Sequence, residues 1–170
     1  KSAEILNNLG SIAKDTGDWM SALQYFENAL YISPNLSEAH SNLGIVLKEL
    51  GRLDEAEASF AKAIALKPDF ADAHYNWGNT LKELGKLEEA EASYTQAIAL
   101  KPDFADARYN LGNTLQELGM LDEAEASYTQ AIALKPDFAD AHANLGDVLL
   151  KKGLHREGLN KQLIGAGAIC

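Results

Sequence analysis

Apolar residues along this chain recur at helical spacing, and that recurrence itself repeats every 34 residues. In residues 71–104, Ala73, Trp77, Leu81 and Leu84 make one stripe, and Leu87, Ala90, Tyr94, Ala97 and Ile98 make a second. Gly85-Lys86 separates the two stripes, so each repeat reads as a pair of helices. No segment alternates with period two, which excludes a sheet. The pattern predicts helices over 3–16, 20–32, 37–50, 54–66, 71–84, 88–100, 105–118, 122–134 and 139–152.

Glycine and proline keep the same period. Glycines pair as Gly10/Gly17, Gly44/Gly51, Gly78/Gly85, Gly112/Gly119 and Gly146/Gly153, and the prolines are Pro34, Pro68, Pro102 and Pro136. The repeats therefore run 3–36, 37–70, 71–104, 105–138 and 139–170, the last two residues short. The third and fourth differ at only five of 34 positions. In the third, Glu88 and Glu89 suit the start of the second helix and Lys101 its end. Pro102 blocks continuation, and Asp103 is expected to cap the helix that follows. Gly78, Ala90 and Ala97 are small enough for the paired helices to approach closely. In the fifth repeat, Gly158, Gln162 and Gly165 replace the small and aromatic residues of the second helix. Residues 154–170 thus read as a weak capping helix or as the boundary of a further domain, beyond an array over 3–153.

These residues carry a family resemblance. Trp77, Gly78, Leu81, Gly85, Ala90, Tyr94, Ala97 and Pro102 resemble the signature of the tetratricopeptide repeat. Their counterparts elsewhere, such as Leu9, Gly10, Ala22, Phe26, Ala29 and Pro34, resemble it too. The wording of the repeats is most similar to the superhelical repeats of the O-linked N-acetylglucosamine transferases, without any catalytic domain. The resemblance implies an all-α, right-handed superhelical solenoid that binds proteins or peptides on its concave face.

Charge narrows the partners. The 170 residues carry a net charge of −10, so nucleic acid and anionic membrane are excluded as expected partners, since both require a basic face. No apolar run approaches the ~20 residues of a membrane span. The single cysteine, Cys170, allows no internal disulfide and favours a reducing, cytoplasmic setting.

Candidate chemistry lies on the first helix of each repeat. Its second, sixth, ninth and thirteenth residues share a face distinct from the apolar stripe. The sixth is always asparagine: Asn8, Asn42, Asn76, Asn110 and Asn144. The second is always acidic: Glu4, Glu38, Asp72, Asp106 and Asp140. The ninth includes Asn79 and Asn113, and the thirteenth is acidic four times before Lys151. An amide offers two donors and an acceptor, so a row of them suits the backbone of an extended peptide whatever its sequence. The resemblance implies such a ladder. Equally, the row is a product of duplication or bonds the neighbouring helix. The acidic rows favour basic or neutral ligands. Tyr75 and Tyr109, at the fifth position, either touch ligand or fill an interhelix contact. The lysine and arginine clamp of chaperone-binding relatives is absent, so chaperone tails are not expected partners.

His40, His74 and His142 share one position, where Arg108 fills the gap. Metal binding needs ligands within ~2 Å of one ion, and helices in successive repeats stand ~8–10 Å apart, so a packing role between repeats is expected and no metal or cofactor is. No nucleophile elbow or phosphate loop is present, and the chain is expected to be non-catalytic. The alternatives are self-association through the array ends, and a substrate-recruiting arm of an enzyme whose catalytic domain lies beyond residue 170.

Overall fold

The second glycine of each pair, Gly17, Gly51, Gly85, Gly119 and Gly153, lies just past a helix end, whereas the first lies inside a helix. The computed structural model describes residues 2–168, so Cys170 lies outside the described residues. Among those residues it contains ten α-helices and no strand. The chain divides into two compact units, residues 1–86 and 87–170. The first holds α1 (Ala3–Asp15), α2 (Trp19–Ile32), α3 (Ser37–Glu49), α4 (Leu53–Leu66) and α5 (Ala71–Glu83). The second holds α6 (Leu87–Leu100), α7 (Ala105–Glu117), α8 (Leu121–Leu134), α9 (Ala139–Lys151) and α10 (His155–Gly165).

Gly17 shows how the turn inside a repeat works. It sits at φ 76°, where a side chain would be strained. Its N–H donates to the Lys14 carbonyl at 3.0 Å, and the Asp18 N–H donates to the Ala13 carbonyl at 2.9 Å. This is the Schellman arrangement, and Gly51 and Gly119 repeat it through Arg52→Leu47 and Met120→Leu115. The geometry explains a one-residue correction to the expected helices. The residue before the glycine becomes a C-cap or lies next to it, so the first helix of a pair ends at its thirteenth residue. The residue after the glycine is already the N-cap, so the second helix begins at Trp19, Leu53 and Leu121.

One end assignment is also corrected. Asp103 does not cap α7: the N-cap is Phe104, without a side-chain hydrogen bond, and Asp103 offers its carbonyl to the Ala105 N–H at 3.0 Å. Lys101 lies one residue past α6, and its ammonium stands 4.5 Å from the centre of the Phe104 ring. Lys67 over Phe70 and Lys135 over Phe138 repeat this cation–π contact. The turn between repeats is thus held by its Lys-Pro-Asp-Phe sequence rather than by a carboxylate cap.

In the first unit α2 packs on α1, α3 on α2, α4 on α3 and α5 on α4; in the second, α7 packs on α6, α8 on α7, α9 on α8 and α10 on α9. Contacts of α1 with α3, α3 with α5 and α7 with α9 make the odd-numbered helices of each unit one layer, and each even-numbered helix packs on its odd-numbered neighbours. Close approach inside a pair depends on glycine. A Cβ on Gly10, Gly44 or Gly112 would lie 2.7 to 2.8 Å from the ring of Phe26, Phe60 or Tyr128, each fully buried. Small buried residues such as Ala22, Ala56 and Ala124 flank these rings. In the last pair no aromatic is available: Gly146 faces Gln162 and the Gly158 backbone, and the buried residue of α10 is Gly158.

Candidate functional site

The odd-numbered helices carry the asparagine row. Asn8 is exposed, and Asn42, Asn76, Asn110 and Asn144 are half-buried. Part of their hydrogen-bonding capacity is used within the protein. Asn42 Nδ2 lies 3.4 Å from Asn7 Oδ1, and Asn144 Nδ2 donates to the Tyr109 hydroxyl at 3.2 Å. Both join a sixth residue to the fifth residue of the preceding repeat, so the fifth position supports the row from behind. Asn144 also donates to Asn113 Oδ1 at 2.8 Å. With its amide hydrogens occupied, Asn144 offers an acceptor. Asn76 Nδ2 turns back to its own helix, onto the Asp72 carbonyl at 2.9 Å. Asn110, Asn79 and Tyr75 are half-buried, and each has a partner of its own.

Tyr109 is half-buried, with its ring centre 4.8 Å from that of Phe138 and 6.0 Å from that of Tyr128. Its ring therefore packs between helices while its hydroxyl holds Asn144. Beneath it, the Tyr128 hydroxyl donates toward Asn113 Oδ1 at 2.7 Å, with Gln116 Oε1 at 3.1 Å. Burial raises the Tyr128 pKa far above its ordinary range, so this group remains a donor. Asn113 thus joins α7, α8 and α9.

The acids flank this layer. Glu4, Asp72, Asp106 and Asp140 are exposed at the second position. Glu38 is partly covered and bridged by Lys67 at 3.3 Å. Its own backbone N–H, Ser37 and Lys67 hold its carboxyl below the ordinary value against the opposing effect of burial. In the thirteenth row Lys48 bridges Glu49 at 3.3 Å and Glu83 of the next repeat at 3.4 Å. That row is therefore partly neutralised, whereas most of the second-position row stands open to solvent.

The histidine position has a more specific role than packing. His40, His74 and His142 place Nε2 at 2.8, 3.0 and 2.9 Å from the carbonyls of Pro34, Pro68 and Pro136 respectively. Arg108 does the same for Pro102 through Nη2 at 2.9 Å. Each side chain ties the first turns of a helix to the carbonyl of the proline six residues earlier. Among the described residues no three of His, Cys, Asp and Glu converge on a metal site, and no helix is long and apolar enough to cross a membrane.

One pairing escaped the sequence reading although its letters were there. The ninth residue of the first helix and the aromatic position fifteen residues later change together: Ser11 and Ile45 go with Phe26 and Phe60, Asn79 and Asn113 with Tyr94 and Tyr128, Asp147 with Gln162. Gln162 Nε2 donates to Asp147 Oδ1 at 2.7 Å. Asn113 and Asp147 on first helices are thus each matched by a polar tip beneath them, Tyr128 and Gln162.

Comparison with known proteins agrees with this architecture. A family model described as "Tetratricopeptide repeat" matches residues 1–69, a second of that description matches 50–94, and one described as "TPR repeat" matches 78–119 and 116–153. A comparison with curated proteins finds no match. Among solved structures, a crystal structure of MamA superposes with a TM-score of 0.88 at 28% identity, over 93% of this chain and 92% of that one. MamA residues 41 to the end from Desulfovibrio magneticus RS-1 gives 0.89 at 24%, over 97% and 93%. YrrB, described as a TPR protein with an unusual peptide-binding site, gives 0.82 at 24%, over 96% and 89%. Repeat models spanning residues 1–153, and helix pairs stacked in chain order within each unit, place this chain in the tetratricopeptide repeat family.

Proposed function

We propose that this chain is a non-catalytic scaffold that holds extended peptide or protein segments of neutral or basic character along the odd-numbered helices. The observation that carries the reading is the asparagine kept at the sixth position of every repeat beside solvent-exposed carboxylates at the second. Asn42 keeps its Oδ1 and Asn144 its acceptor for a ligand, so the row favours backbone N–H groups on the segment it receives. The exposed acids add a field that draws basic segments and repels acidic ones. The likeness in fold to YrrB, a TPR protein with a peptide-binding site, supports a peptide as the ligand.

The test is a peptide-array screen with the wild-type chain, followed by titration of its hits against Asn42→Ala/Asn76→Ala. Each substitution is expected to weaken binding by ~0.5–1.5 kcal/mol, the usual net worth of a hydrogen bond. The loss should be similar for hits of unrelated sequence, because backbone is common to all. Hits that bind the double variant with undiminished affinity would reveal the row to be a copied surface feature.

A further inference from the structure

In the second unit, two amides of neighbouring odd-numbered helices face each other in opposite senses. Asn113 Oδ1 accepts from the Tyr128 hydroxyl at 2.7 Å and from Asn144 Nδ2 at 2.8 Å. Asn144 Nδ2 also donates to the Tyr109 hydroxyl at 3.2 Å. Among the described residues nothing bonds Asn113 Nδ2 or Asn144 Oδ1, and both side chains are half-buried. One amide thus offers a donor and its neighbour an acceptor. Neither can turn alone. Turning Asn113 would set Nδ2 against Nδ2 across 2.8 Å, and turning Asn144 would set Oδ1 against Oδ1. The Tyr128 hydroxyl holds the observed sense, because its proton goes to Asn113 Oδ1 rather than to Gln116 Oε1 at 3.1 Å. Its ring is fully buried, and the Tyr109 ring centre lies 4.8 Å from that of Phe138, so both hydroxyls are held in place. The first two repeats carry Ser11 and Ile45 at the ninth position, so Asn42 and Asn76 have no amide there to face.

An extended segment points the N–H and C=O of one residue to the same side, the two groups that a hydrogen-bonded pair of an antiparallel ladder exchanges. A fixed donor beside a fixed acceptor meets both. Taking from the scaffold reading, on which this rests, only that the ligand is an extended peptide, we propose that Asn113 and Asn144 bind one ligand residue as a unit. Asn113 Nδ2 donates to the C=O of that residue, and its N–H donates to Asn144 Oδ1. Tyr128 and Tyr109 are positioning residues, which act through the two amides and keep donor and acceptor from changing places. The unit accepts any side chain but requires an intact N–H. Proline and N-methylated residues are therefore excluded from this register of the ligand, since neither has a backbone proton to give.

The probe is the tightest uncharged hit of the peptide array, remade with single amide-to-ester replacements and titrated against four chains. For the wild type, removing the N–H of one ligand residue should weaken binding about fivefold, the loss of one hydrogen bond. In Asn144→Ala that penalty should vanish. The ester one bond later weakens the C=O of the same ligand residue, and its penalty should vanish in Asn113→Asp. That variant keeps an oxygen for Tyr128 and Asn144 but turns the outward donor into an acceptor, so its melting curve should stay near wild type. Tyr128→Phe should shrink both penalties without unfolding the chain, because Phe26 and Phe60 are buried at the same repeat position. Penalties on ligand residues that are not the same, a penalty that survives its asparagine variant, or penalties that Tyr128→Phe leaves at wild-type size overturn the inference. None of these results enters the Asn42→Ala/Asn76→Ala titration, which judges the scaffold reading by itself. An array without any hit overturns both.

Discussion

At the residue scale, identity is set by what each side chain meets across its helix pair. The glycine opposite an aromatic ring is the clearest case. A Cβ on Gly44 would fall 2.8 Å from Phe60 ring carbons, and that ring is fully buried, so it has no solvent to swing into. Gly44→Ala is expected to lower stability by ~1–3 kcal/mol despite the better helix propensity of alanine, because overpacking exceeds the propensity gain; chemical denaturation measures it. Glu38 gives a pH-dependent contribution of definite sign. Its folded pKa lies below the ordinary 4.5, so its contribution is present above that value and is lost as pH falls through the folded one. Glu38→Gln should flatten the acid limb of a stability–pH profile slightly, since half-exposed pairs are screened. The stripes and small residues were legible in the sequence because period and volume are local properties. The histidine–proline bonds and the asparagine–tyrosine pairing were not, because they depend on which side chains face each other across a turn or a pair. The joint change of Asn113 and Tyr128 was visible, but its meaning needed the close approach that Gly112 permits.

At the element scale, the ends of helices depart from simple capping rules while their middles follow the pattern. The Schellman turn at glycine fixes two boundaries at once, which moved the expected ends by one residue. Among the starts of α2, α4, α8 and α10, Asp18 alone uses a side chain to accept from the backbone, from the Ser21 N–H at 3.2 Å. Cation–π turns at Phe70, Phe104 and Phe138 replace the carboxylate caps that the sequence suggested. The last helix is the weakest element. It carries Gly158 and has Gln162 where α8 has Tyr128, and it buries no large side chain. Its amide hydrogens should exchange faster than those of α8, since local opening follows the apolar area buried. Replacing Gly158 with alanine should not repair this, because the added Cβ would lie 2.8 Å from Leu150 Cγ and 2.9 Å from the Gly146 carbonyl. Native-state exchange by mass spectrometry distinguishes the two helices directly.

At the scale of the whole molecule, acidic charge and peptide binding become one measurable coupling. A net charge of −10 acts on every ligand, so selectivity has to be separated from general attraction. Asp72 and Asp106 are exposed and lie four residues before Asn76 and Asn110 of the sixth-position row. Replacing either with asparagine removes a charge while keeping shape and hydrogen-bonding capacity. If the second-position acids steer ligands, each replacement should weaken basic peptides at low salt, leave neutral ones unchanged, and have little effect at 1 M salt, where the screening length is ~3 Å. Bound peptide also stabilises the fold by mass action, by ~2.7 kcal/mol at a hundredfold excess over Kd. The rise in melting temperature with a basic peptide should therefore shrink in these variants, while the ligand-free melting temperature stays near wild type. Isothermal titration at low and high salt, alongside thermal melts, gives both quantities from the same samples. Equal losses for basic and neutral peptides would mean that these carboxylates act through local structure rather than through their field.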